Sequence, residues 1–172
     1  MINDIYDYIE SGFKVFGLHG STGGACNCGD AECTAILKHP IMSNWQNVPN
    51  WSDEQIECFD EMGHFNSGFG VLVKGFLVVD VDARNGGVPS FKKLCKDVPS
   101  LLECAFIVNT GSGGGSQHWY FKLGDDDKTK SLMQTNKKYA GIDFKTSGFV
   151  VGSGSLHESG SNYETVKGYP QD

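Results

Sequence analysis

The sequence predicts an α+β fold: a mainly antiparallel sheet flanked by helices. Three observations point there. Strand-length segments after residue 68 are rich in Val, Ile and Phe, and several alternate apolar with polar residues. The helical stretches are short and bounded by cap signals. Turn-forming segments, Lys74-Gly75 and residues 111–116, separate successive strands.

In chain order, residues 4–11 fit a short amphipathic helix closed by Gly12, and an apolar strand follows at 14–18. Residues 20–40 are rich in Gly, Cys and Ser, too polar and irregular for core. Ser52-Asp-Glu-Gln55 reads as a capping box. Its helix should run to Met62 and stop at Gly63. Strands at 69–73 and 76–82 flank Lys74-Gly75, which suits a two-residue hairpin turn. Pro89-Ser90 opens a second helix to Lys96. Strands follow at 106–109, 118–123, 141–145 and 149–152, and the charged segment 124–138 should loop out. No long repeat and no separating linker is visible. The expectation is one domain over residues 1–172, with residues 20–40 inserted.

Composition narrows the function. The chain has 172 residues, 39% hydrophobic, with a formal net charge of −7. Such acidity argues against a passive nucleic-acid coat, which relies on Lys and Arg to neutralise phosphates. It suits a site of carboxylates whose local field a bound cation reverses. No apolar run approaches the roughly 20 residues needed to cross a bilayer. Asp4, Asp7 and Glu10 interrupt the N-terminus, unlike a signal peptide. A soluble, cytoplasmic protein with no membrane contact is expected.

The strongest chemical signal lies in the alternation. In Phe76-Leu-Val-Val-Asp-Val-Asp82, Leu77, Val79 and Val81 share one face, and Asp80 and Asp82 the other. The rise of ~3.3 Å per residue sets the two carboxylates roughly 7 Å apart, within reach of one metal cluster. In His118-Trp-Tyr-Phe-Lys-Leu123, Trp119, Phe121 and Leu123 oppose His118, Tyr120 and Lys122. In Gly141-Ile-Asp-Phe-Lys145, Ile142 and Phe144 oppose Asp143 and Lys145. If these strands share a sheet, its polar face gathers Asp80, Asp82, Asp143, His118 and Lys145. A sheet with one wet face is the plain alternative. Yet Asp is depleted in strands, and close carboxylates repel unless a cation compensates. Paired carboxylates can hold two divalent ions for in-line phosphoryl displacement, and magnesium and manganese prefer such oxygen ligands. Gly111 to Gly115 could present backbone amides to phosphates, or simply form a hairpin turn.

At these residues the chain resembles the primase–polymerase branch of the archaeo-eukaryotic primase superfamily. That group's motifs are apolar-Asp-apolar-Asp, Ser-x-His and a third acidic residue on a later strand. Here they read Val79-Asp80-Val81-Asp82, Ser116-Gln117-His118 and Ile142-Asp143. The stretch from Gly152 through Ser155 and His157 to Gly160 is similar to a family segment that faces the nucleotide, although both prolines of that pattern are missing. The resemblance implies a two-lobed fold with an RRM-like catalytic sheet. It implies template-directed synthesis from nucleoside triphosphates on single-stranded DNA. Asp80, Asp82 and Asp143 would be the catalytic carboxylates, holding Mg²⁺ or Mn²⁺, with Ser116, His118, Lys145, Ser155 and His157 toward the nucleotide. Such proteins are common in phages and plasmids, and a helicase often lies in the same polypeptide. The chain is therefore expected to be a fragment of a longer replication protein.

Cys26, Cys28, Cys33 and His39 form C-x-C-x4-C-x5-H, a donor set that suits tetrahedral, structural zinc. Free thiols in a loop, or a redox pair, are the alternatives. Cys-x-Cys-Gly followed by Lys-His-Pro resembles a zinc loop of the same family. His19 and His64 are expected to be ordinary histidines, and Cys58, Cys95 and Cys104 to pack on helices. Two other functions compete: a metal-dependent phosphodiesterase or nuclease using the same aspartates, and a non-catalytic zinc-loop module that recruits a helicase or single-stranded DNA.

Overall fold

A computed structural model describes residues 1–123 and 138–170 and shows an α+β chain with mainly antiparallel sheets. The expected loop at 124–138 lies, but for Lys138, outside the described residues. Cα packing divides the chain into two compact units, one of residues 1–72 and 149–163, the other of residues 73–148 and 164–170. No helix of the described residues is long and apolar enough to cross a membrane.

The first unit contains helix α1 (Ile2–Glu10), strand β1 (Lys14–Gly17), a two-strand hairpin of β2 (Ser21–Thr22) and β3 (Ala25–Cys26), helix α2 (Asp53–Glu61) and strand β4 (Phe69–Leu72). Strand β9 (Phe149–Val151) completes its main sheet in the antiparallel order β1-β4-β9. Aromatic rings fill its core. Tyr8 of α1 packs edge-on against Phe13 and Phe69, each at 5.5 Å, and Phe16 meets Phe149 at 5.2 Å. Helix α2 begins as its sequence predicts. The Ser52 hydroxyl accepts from the Gln55 amide, and the Gln55 side chain accepts from the Ser52 amide. Residues 20–40 are more ordered than their composition suggests. Besides the β2–β3 hairpin, Leu18 bridges Pro40, and Leu37 is buried.

The second unit is a five-stranded antiparallel sheet. Its strands are β5 (Phe76–Val81), β6 (Phe106–Asn109), β7 (Gln117–Lys122), β8 (Ile142–Lys145) and β10 (Glu164–Lys167), in the order β10-β6-β7-β5-β8. Helix α3 (Gly87–Asp97) packs on one face. Leu94 of α3 joins Leu77, Val79, Val81, Ile142 and Phe144 in a core against which Phe91, Trp119 and Phe121 lean. The apolar face is thus the one the alternation specifies.

Several expectations need correction. Lys74-Gly75 does not close a hairpin: β4 pairs with β1 and β9, whereas β5 pairs with β7 and β8. The turn is real, with the Phe76 amide bonded to the Val73 carbonyl, but it passes the chain from one sheet to another. Helix α3 starts at Gly87, before Pro89, because proline is tolerated in a first turn whose amides lack intrahelical partners. Cys104 is on no α-helix. It is buried in the link before β6, its thiol donating to the carbonyls of Phe106 and Tyr120. Strand β10 was not expected, because Glu-Thr-Val-Lys has no strong apolar pattern and all four residues are exposed. Finally, the Asp80 face of the sheet is polar only at one end. Val78, Val108 and Tyr120 share that side and are buried.

Two glycines join the end of β5 to the start of β8. The Asp82 amide donates to the Gly141 carbonyl, and the Gly87 amide to the Asp82 carbonyl, both at 2.8 Å. A Cβ on Gly87 would lie 2.5 Å from the Gly141 oxygen and 2.6 Å from the Asp82 oxygen. One on Gly141 would lie 2.5 Å from the Gly87 nitrogen, on a backbone with φ +70°. All these obstacles are backbone atoms, which cannot rotate aside. Gly87→Ala and Gly141→Ala should therefore each cost about 1–3 kcal/mol from overpacking, with added backbone strain at position 141. Urea unfolding of each variant measures this. An alanine at either position with unchanged stability would show that the crossing is slack.

Candidate active site

Strand β5 sits between β7 and β8, and its register decides what meets. Asp80 lies opposite His118 on β7 and opposite Asp143 on β8. Directly opposed residues of antiparallel strands share a face, so sequence-distant residues converge on one strand end. Asp82 follows β5 with extended dihedrals (φ −99°, ψ 105°), so alternation returns it to the Asp80 side. Like charges placed opposite each other, as Asp80 and Asp143 are, destabilise a sheet. Two cationic or potentially cationic groups offset this. Lys145 Nζ stands 3.6 Å from Asp80 Oδ2, and His118 Nε2 stands 3.7 Å from Asp80 Oδ1. His118 is buried, and its ring meets that of Tyr120 edge-on.

Ser116 ends the Gly-rich turn between β6 and β7. Its buried hydroxyl accepts from the Ala83 amide at 2.9 Å, just after Asp82. The turn is thereby fastened to the chain leaving β5. That tie holds whether or not the turn's amides also meet phosphates.

Asp82 caps the 3-10 turn Ala83–Asn85. Oδ1 accepts from the Arg84 amide at 2.9 Å and from Arg84 Nε at 3.2 Å. Oδ2 accepts from Arg84 Nη2 at 3.3 Å and from Asn85 Nδ2 at 2.8 Å. Partial burial works to raise the Asp82 carboxyl, but the Arg84 and Asn85 hydrogen bonds and the Arg84 charge outweigh it. The carboxyl is held below the ordinary range. Sequence reasoning passed over Arg84 and Asn85. The signal was the Asp82-Ala-Arg-Asn-Gly86 stretch, which reads as a capped turn closing on a glycine.

Ser155 and His157 lie in the other compact unit. Ser155 is fully buried, and its hydroxyl accepts from the Phe69 amide at 3.1 Å. His157 Nδ1 accepts from the Ser159 amide at 3.1 Å, and its ring meets Tyr163 edge-on. Both side chains thus have local structural partners.

The cysteine loop forms a separate centre. The donor atoms of Cys26, Cys28, Cys33 and His39 all lie within 4.8 Å of one another, and Cys33 Sγ is 3.2 Å from His39 Nδ1. A tetrahedral zinc bound at about 2.0–2.3 Å needs donors roughly 3.5 Å apart, so this cluster could bind zinc. Burial above all pushes the Cys26 thiol up to about 11, whereas the Asp30 amide holds the Cys28 thiol below its ordinary value. His19 sits beside the cluster, its ring 5.2 Å from that of His39, without belonging to the set. His64 stacks on Phe59. Among the described residues this is the group of His, Cys, Asp or Glu whose donors already converge as for a metal. The three aspartates share a sheet face without converging so closely.

No curated protein matches the chain at a significant level. A family model does, described as "Bifunctional DNA primase/polymerase, N-terminal" and matching residues 6–171. That span covers nearly the whole sequence, including the β5, β7 and β8 residues above and the cysteine loop. The chain belongs to the bifunctional DNA primase/polymerase N-terminal family.

Proposed function

We propose that the chain catalyses template-directed nucleotidyl transfer, adding nucleoside triphosphates on a single-stranded DNA template. Asp80, Asp82 and Asp143 would hold two Mg²⁺ or Mn²⁺ ions. The observation that carries this reading is the β5 register, which sets Asp80 opposite both His118 and Asp143. Three carboxylates gathered on one strand end are the hard-oxygen donors such ions prefer. Bound there, the cations would activate the attacking hydroxyl and neutralise charge on the transferring phosphate. His118 and Lys145 lie beside Asp80 with their nitrogens directed to its oxygens. From there they would orient the triphosphate, His118 by hydrogen bonding from a buried ring and Lys145 as a point charge. Ser116 would keep the Gly-rich turn against the chain after Asp82. Ser155 and His157 would hold their own segment in shape. The cysteine loop would be a structural zinc site, its four protein ligands leaving no open position for water.

Asp80→Asn and Asp82→Asn should each lower nucleotide incorporation by about a hundredfold or more, roughly 3 kcal/mol of barrier. Asp143→Asn should be impaired in the same direction, and all three should stay folded. Extension of a labelled primer on single-stranded template, with Mg²⁺ or Mn²⁺, measures this. Unaltered extension by the Asp80→Asn/Asp82→Asn double variant would sink the assignment. Cleavage of the strand in place of extension would point to a nuclease.

His118→Ala should weaken nucleotide binding about tenfold or more, the loss of one charge-assisted hydrogen bond, while template binding changes little. Isothermal titration with each ligand separates the two. Equal affinity in the variant would reduce His118 to strand packing.

Cys28→Ser should lower zinc content below one per chain and loosen residues 20–40, while the sheet of the second unit, with its own apolar core, stays folded. Elemental analysis and hydrogen exchange read both effects. A folded wild-type protein, prepared without chelators and nearly zinc-free, would defeat the zinc assignment.

A further inference from the structure

The oxygens of Asp82 already have a full complement of donors. An ionised carboxylate offers about four lone-pair positions. On Asp82 these meet the Arg84 amide, Arg84 Nε, Arg84 Nη2 and Asn85 Nδ2. Asp80 differs. Its neighbours Lys145 and His118 stand at 3.6 and 3.7 Å, too long for hydrogen bonds. A cation can approach Asp80 by outcompeting loose neighbours, but at Asp82 it must displace a bonded one.

The four donors are not equally displaceable. The Arg84 amide belongs to the 3-10 turn that Asp82 caps and cannot leave without unwinding it. The Arg84 guanidinium ends a long side chain that is 58% exposed. It also carries the same sign of charge as the arriving ion, so the two cannot share the carboxylate closely without repulsion. A guanidinium released here stands among the residues proposed to receive a triphosphate. Its planar fork matches phosphate oxygens as well as carboxylate ones.

We propose that Arg84 is an exchangeable counter-ion of Asp82: it pairs with the carboxylate, yields it to a divalent cation, and transfers its charge to the phosphates of the nucleotide that binds with that cation. This rests on the reading of Asp82 as a cation ligand. The cation alone must break the Arg84–Asp82 pair without compensation, whereas cation and nucleotide together replace that pair with a guanidinium–phosphate one. Each ligand therefore tightens the other, and by linkage the coupling is reciprocal. Arg84 acts as a positioning residue that ties metal occupancy to the presence of substrate.

The test is a titration of Mn²⁺ into the full chain, followed by the paramagnetic resonance of the free ion. It is run with and without a non-hydrolysable nucleoside triphosphate, on wild type, Arg84→Ala, Arg84→Gln, Arg84→Lys and Asp82→Asn, with the fold of each checked by circular dichroism. Without nucleotide, Arg84→Ala and Arg84→Gln should bind Mn²⁺ about two- to fivefold more tightly, the range expected for losing an exposed ion pair. With nucleotide, their affinity should rise less than that of wild type. Arg84→Lys, which keeps the charge without the fork, should fall between. Unchanged or weaker Mn²⁺ binding by both neutral variants would overturn the exchange. Tighter binding with undiminished nucleotide coupling would overturn the transfer to phosphate. If Asp82→Asn binds Mn²⁺ as wild type does, the cation-ligand reading of Asp82 fails, and the exchange fails with it. If Asp82→Asn loses binding while neither neutral variant gains it, the exchange fails alone.

Discussion

The register of β5 between β7 and β8 is the constraint on which the second unit depends. Val78 to Val81 of this strand are bracketed by partners on both sides, so their alternation fixes the alternation of their neighbours. Leu77, Val79 and Val81 must face the core that α3 closes, and this turns Asp80 toward His118 and Asp143. A slip of one residue would drive Asp80 into that core, where an unpaired charge is strongly unfavourable. The apolar face therefore fixes the site geometry as firmly as any polar contact within it.

The two units solve their stability problems differently. The sheet of the second unit relies on burial on both faces, and Asp80, Asp82 and Asp143 come together at one strand end, where Lys145 and Arg84 offset their mutual repulsion. The cysteine loop of the first unit buries little besides Cys26 and Leu37. It gains order from the β2–β3 hairpin and the Leu18–Pro40 bridge, with its donors gathered at one point. A cross-link by metal is the natural complement to such a loop, because a small polar segment has too little apolar area to offset its chain entropy.

Electrostatics connect fold and function. A chain of net charge −7 cannot draw a polyanion by bulk attraction. Its cationic groups matter where they are, next to the aspartates. Arg84 on Asp82 and Lys145 near Asp80 place positive charge where both a metal and a triphosphate would need to be accommodated.

Much was legible in the sequence by itself, wherever the determining forces are local. The Ser52–Gln55 capping box, the α2 stop at Gly63 and the apolar faces of β5, β7 and β8 depend on residues close in the chain or on simple alternation. The same alternation put Asp80, Asp82, Asp143, His118 and Lys145 on one face, and cysteine spacing marked the loop whose donor atoms converge. Only the tertiary structure decided which strands pair. Lys74-Gly75 looks like a hairpin because a turn's preference is local, yet whether the strands beside it pair depends on partners far along the chain, His118 opposite Asp80 among them. Strand β10 carries no pattern of its own and exists because β6 offers it an edge. The Gly87–Gly141 crossing and the Arg84 grip on Asp82 are close approaches of backbone and side chain in space, and neither composition nor periodicity records a distance.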